Sequence, residues 1–159
     1  MPTLAQNANF YRVALILGVT DAADVIAWAD TEIEASTIPP NALIEVSMGR
    51  SLPAPAMISH LAELTENPHD RWSIRRAFGL VADRVRIGGI STENAILNCY
   101  RFLQSEKLLY DEEFDIFITY EDDLSLIRDG IFGADKIADT ENSLLKTLDT
   151  MSASAGNAG

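Results

Sequence analysis

The chain has 159 residues, 47% of them hydrophobic and 23% charged. That is enough for one core, and the composition is ordinary for a soluble globular domain. With 24 acidic residues against 12 basic ones the net charge is −12, a field that repels nucleic acid and anionic membrane and favours a basic protein partner. The single cysteine, Cys99, allows no intrachain disulfide, so a reducing cytoplasm is the expected setting. The opening MPTLAQNANF has no basic residue before an apolar run, and residues 13–17 are too few to span a bilayer. Neither a secretory signal nor a membrane anchor is expected.

In chain order the pattern predicts successive amphipathic helices. The first covers residues 4–17 and stops at Gly18, where a left-handed cap costs a glycine nothing. Thr20 is the expected N-cap of the second, with Asp21 and Asp24 at its positive end. There Ala22, Val25, Ile26, Ala29 and Ile33 make one apolar stripe. Pro39-Pro40 ends that unit. A short helix with Leu43, Ile44 and Met48 on one side follows, then a break at residues 50–55 and a helix over 56–64. Asn67-Pro68 marks the next boundary.

Between residues 70 and 86, Ile74, Phe78, Val81 and Val85 recur at helical spacing, and Gly88-Gly89 closes the run. Ser91 or Thr92 caps a helix whose inner face is Ile96, Cys99, Tyr100 and Leu103. Beyond Leu109, Phe114, Phe117 and Ile118 suit a helix, whereas Phe114, Ile116, Ile118 and Tyr120 alternate as a strand would. No second strand-like segment is there to pair with, so helix is preferred. Gly130 and Gly133 bracket a turn, and Ile137, Leu144, Leu148 and Met151 indicate a last helix. Residues 152–159, all Ala, Ser, Gly and Asn, are expected to be a disordered tail. The fold class is therefore all-α: one irregular bundle of about seven or eight short helices over residues 1–151.

The charge is lopsided. Residues 111–149 hold 12 of the 24 acidic residues and three bases, Arg128, Lys136 and Lys146, for a net −9. No catalytic signature accompanies them, and the EF-hand spacing of a calcium loop is missing. A solvated face or a docking surface for a basic protein fits the run better than a metal site. On the basic side, Arg71 and Arg75 stack at i, i+4 and Arg86 falls near the same ridge. Pairing with the acidic quarter is their simplest role, tying the C-terminal helices to the body. His60 and Glu63 share a helix face at i, i+3, better suited to a surface contact than to metal binding. Cys99 lies on an apolar stripe, so it reads as a small core residue rather than a nucleophile. Residues 88–92, Gly-Gly-Ile-Ser-Thr, superficially match a phosphate cradle but lack the lysine and the preceding strand. Trp28 and Trp72 are expected as core or half-buried anchors.

Residues 17–20 (Leu-Gly-Val-Thr), 25–30 (Val-Ile-Ala-Trp-Ala-Asp), 38–40 (Ile-Pro-Pro) and 43–45 (Leu-Ile-Glu) resemble a pattern in small uncharacterised bacterial all-helical proteins. The runs Glu121-Asp122-Asp123 and Asp129-Gly130-Ile131-Phe132-Gly133 are similar to the later part of that pattern. Such proteins are loosely associated with immunity partners of polymorphic toxins. The resemblance implies a helical fold and a protein partner, and it carries no catalytic residue or cofactor.

These readings converge on a non-enzymatic cytoplasmic module that binds a basic protein through Glu112, Glu113, Asp115, Glu121, Asp122 and Asp123. An immunity protein that occludes a basic toxin is its most concrete form. A small helical metal-binding protein or metalloenzyme, and a structural homo-oligomer, are the alternatives. No cofactor is expected.

Overall fold

The computed structural model describes residues 1–157, with side chains placed to residue 156. Eight α-helices and one 3-10 turn follow one another with no strand among the described residues, as the all-α reading required. They are α1 (Leu4–Ile16), α2 (Ala22–Ala35), α3 (Asn41–Ser47), α4 (Ala54–Leu64), α5 (Arg71–Arg86), α6 (Thr92–Ser105), α7 (Ile116–Arg128) and α8 (Lys136–Asn157).

Local chemistry sets most of the boundaries. Thr3 and Gln6 form a reciprocal capping box at the start of α1. Gly18 takes φ +72° just after the helix ends, a conformation that costs a side-chain-bearing residue about 1–2 kcal/mol. The N-cap of α2 is Asp21, whose carboxylate accepts from Asp24 N at 3.0 Å. Thr20, the expected cap, instead directs its hydroxyl to Asp24. Asp70 and Ser91 cap α5 and α6 in the same way as Asp21.

α5 is the central strut. It packs most extensively on α8 and next on α1. Around it a main core gathers residues from α1, α5, α6, α7 and α8. The Phe78 ring sits at its centre, 6.1, 5.7 and 5.5 Å from those of Phe102, Phe114 and Phe117. Ala8, on the other flank of α1, joins a smaller core with Val25, Ala29, Leu43, Val46, Met57 and Leu61 of α2–α4.

Met48, expected on the apolar side of the third helix, follows α3 as its cap and is 75% exposed, and Val46 is the residue buried beside Leu43. Two larger expectations are also corrected. Phe114 lies in the turn before α7, not within the helix, yet it is fully buried. The supposed tail is helical through Asn157, and the expectation for residues 158–159 lies outside the described residues. The reason is packing. A Cβ on Gly79 of α5 would lie 2.6 Å from Ser152 Cβ, so the two backbones approach more closely than larger residues permit. Ala155, one turn on, is 4% exposed. A small-residue composition read as disorder is here the contact surface of a helix.

Candidate functional site

The acidic quarter begins in the connection between α6 and α7, which is folded back by hydrogen bonds from Phe114 N and Asp115 N to Asp111 O, both 2.9 Å. Four of its twelve acids are held internally by arginines. Arg71 Nη2 lies 2.5 Å from Asp111, Arg75 bonds Glu113, Arg86 bonds Asp149, and Arg128 reaches Glu121 at 3.5 Å. Glu113 raises the Arg75 pKa above its ordinary value by hydrogen bonding to the charged form, against the effect of burial. Arg71 also lies over the Phe114 ring, its guanidinium carbon 4.9 Å from the centroid. The arginine ridge therefore does what its spacing suggested: it ties the acidic quarter to α5.

That pairing divides the six expected contact residues. Glu113 is occupied by α5, and Glu121 by Arg128 and Ser125. Glu112, Asp115 and Asp122 are exposed, Asp123 is half-buried, and none of these four has an ion-pair partner among the described residues. The three successive acids 121–123 leave the helix in different directions, because neighbours on a helix are about 100° apart. No group of three His, Cys, Asp or Glu side chains among the described residues is placed to hold a metal ion.

The exposed acids are interleaved with apolar side chains that sequence reasoning missed. Tyr110 is 87% exposed and Ile116 is 36% exposed, flanking Glu112 and Asp115 in the chain. Ile131, in the turn after α7, is 67% exposed. Spacing gave no signal for Tyr110, which stands seven residues after Leu103 as a continued helical stripe would; the end of α6 at Ser105 is what takes it out of the helix.

The remaining candidates take their plain roles. Cys99 is wholly buried, and burial pushes its thiol far above the ordinary range, so it is no thiolate nucleophile. His60 Nδ1 lies 3.7 Å from Glu63 on the same helix face. In the 88–92 segment, Gly88 ends α5 and the Ser91 hydroxyl caps α6 by accepting from Asn94 N at 3.1 Å. Trp28 and Trp72 are half-buried, on α2 and α5. No described helix is long and apolar enough to cross a membrane.

Compared with family profiles, curated proteins and solved structures, the chain matches none.

Proposed function

We propose that this chain is a non-enzymatic binding module that engages a basic protein through the α6–α7 connection and the outer side of α7. The observation that carries this is the pairing of exposed apolar side chains, Tyr110 and Ile116, with the exposed acids Glu112, Asp115 and Asp122. An exposed aromatic anchor followed in the chain by unpaired acids has the composition of an interface hot spot with an electrostatic rim. The charges steer a cationic partner and speed encounter, while Tyr110 and Ile116 set the lifetime of the complex. An immunity protein that covers the cationic surface of a basic toxin is the concrete form of this reading, supported also by the sequence resemblance. Glu113 and Glu121 have a lesser part, since their carboxylates are spent on Arg75 and Arg128.

The test is an affinity capture from cytoplasmic extract, repeated with Glu112→Lys/Asp115→Lys/Asp122→Lys and with Tyr110→Ala. The parent chain should retain one stoichiometric basic protein. The charge-reversed variant should lose it, and Tyr110→Ala should weaken binding more than tenfold, the scale of a hot-spot residue. Equal retention by all three, with affinity insensitive to salt, would overturn the reading.

A further inference from the structure

The helices pack in the same order twice. In residues 4–64, α1 lies against α4, α4 against α3, α3 against α2, and α2 lightly against α1. The second four repeat those neighbours: α5 lies against α8, α8 against α7, α7 against α6, and α6 lightly against α5. α8, twice as long as α4, also touches α6. The two four-helix units meet through α1 on α5.

Their first turns agree in detail. Gly18 has φ +72° and Gly88 has φ +74°. Beyond them Val19 N donates to Ala14 O at 3.0 Å, and Gly89 N to Arg84 O at 2.8 Å, the same closure of a helix by a left-handed glycine. Three residues past each glycine a side chain caps the next helix, Asp21 for α2 and Ser91 for α6, and both helices have 14 residues.

Exposed apolar side chains repeat with the helices. In the second unit Tyr110 stands before α7 and Ile131 after it, 87% and 67% exposed. In the first, Ile38 stands before α3 and Met48 after it, 86% and 75% exposed. A single exposed apolar residue is ordinary. Recurrence on both sides of the third helix marks a surface that the architecture presents twice.

The charge repeats as well. Residues 22–64 hold six acids and one base, Arg50. None of the six is paired with an arginine or lysine among the described residues. Asp30 accepts a hydrogen bond from Ser47 and so fastens α2 to the end of α3. Glu34 and Glu45 face solvent. Asn41, Glu45 and Met48 follow at i, i+4 and i+7 as one exposed ridge of α3 and its cap, as Asp115, Thr119 and Asp122 do on α7 and its cap.

We propose that Ile38, Glu34, Glu45 and Met48 form a second docking surface, on which a second molecule of the basic partner seats as the first seats on the α6–α7 connection. The nature of this occupant rests on the protein-binding reading above, whereas the surface shares no residue with that one. The occupant presents an apolar side chain to Ile38 between cationic ones that meet Glu34 and Glu45, since apolar contact holds a complex that charge steers.

The probe is an amphipathic dodecapeptide of lysine and leucine in equal number, with hexalysine as the control. Each is titrated into nitrogen-15-labelled full-length chain and followed by NMR. The expected result is saturable movement of amides in residues 34–48 as well as in 110–122, weaker by about fivefold or more with hexalysine. Ile38→Ser, at an exposed position outside any helix, should weaken the 34–48 response by a similar factor and leave that at 110–122 unchanged. Glu34→Lys/Glu45→Lys should do the same. Movement at 110–122 alone would overturn the second surface and leave the first standing. Movement at 34–48 alone would support the second and remove the first, and movement at neither would remove both. A 34–48 response equal with hexalysine, or unchanged in Ile38→Ser, would reduce it to diffuse charge attraction and overturn the proposal.

Discussion

The two hydrophobic cores on either flank of α1 are unequal. The main one gathers 25 buried residues from α1 and α5–α8 and the short connections beside them. The smaller one has seven: Ala8 of α1 and six from α2, α3 and α4. In the larger, Phe78 meets three other aromatic rings, so its loss is felt across α5, α6 and α7. In the smaller, α2 packs on α3 and α3 on α4, while α2 touches α1 only lightly. The α2–α4 layer is thus joined to the body chiefly through α4 on α1. Stability within one chain is uneven in this way wherever a layer has few buried partners.

The largest expected effect tests that division directly. Phe78→Ala should cost about 3–5 kcal/mol in urea unfolding, since it removes a fully buried ring and leaves a cavity. Leu43→Ala should cost about 2 kcal/mol, the low end for a buried leucine, because the thin α2–α4 layer can relax around it. Amide hydrogen exchange separates the two. Leu43→Ala should speed exchange in α2 and α3 while α5 keeps its protection, and Phe78→Ala should speed both. Equal acceleration everywhere in Leu43→Ala would mean that the cores form one cooperative unit.

A smaller effect belongs to the α5–α8 contact that closes the main core. In Gly79→Ala the new methyl meets Ser152 Oγ at 2.5 Å and Cβ at 2.6 Å. Overpacking of this kind costs about 1–3 kcal/mol, against a gain of at most about 1 kcal/mol in helix propensity. A net loss of about 1 kcal/mol is expected in thermal or urea unfolding. Adding Ser152→Gly should recover part of it by vacating the same space. A neutral or stabilising Gly79→Ala would show that α8 does not seat on α5 at residue 152.

The smallest effect is alkaline. Burial raises the Tyr120 pKa above 10.0, while its hydrogen bond with Thr147 acts the other way. The neutral phenol is therefore favoured by the folded state. Its contribution is fully present below pH 10 and is lost as pH rises through the folded-state pKa. Tyr120→Phe should flatten this part of the stability–pH curve above pH 10. It gives up hydrogen bonds to Ser143 O and Thr147, so it should be slightly less stable at neutral pH. Tyr11, raised for the same leading reason, lies against both cores and should leave a residual alkaline slope in the Tyr120 variant. A parent curve already flat above pH 10 would remove the burial argument for both tyrosines.

Much of the fold was legible because helix ends are written locally. Gly18 and Ser91 each act on their own backbone, so no distant contact is needed to read them, whereas α2 ends at Ala35, ahead of the Pro39-Pro40 pair, and Pro40 instead precedes α3 as its N-cap. The ridge Arg71, Arg75 and Arg86 was legible because it combines helical spacing with a known excess of opposite charge. The site was less so. Nothing in the run 112–123 distinguishes Glu113 and Glu121, which arginines consume, from Glu112, Asp115 and Asp122, which face solvent.

Composition and periodicity by themselves thus determined an all-α chain, the order of its helices, the central apolar stripe of α5 and the concentration of negative charge after Leu109. These depend on a residue and its neighbours within a turn or two. Tertiary structure alone decided that apolar stripes sort into two cores, that Phe114 is buried from a turn, and that Ser152 and Ala155 belong to a packed helix. Each of those outcomes depends on which surface arrives from a distant part of the chain, and a small or charged side chain has no fixed role until that surface is in place.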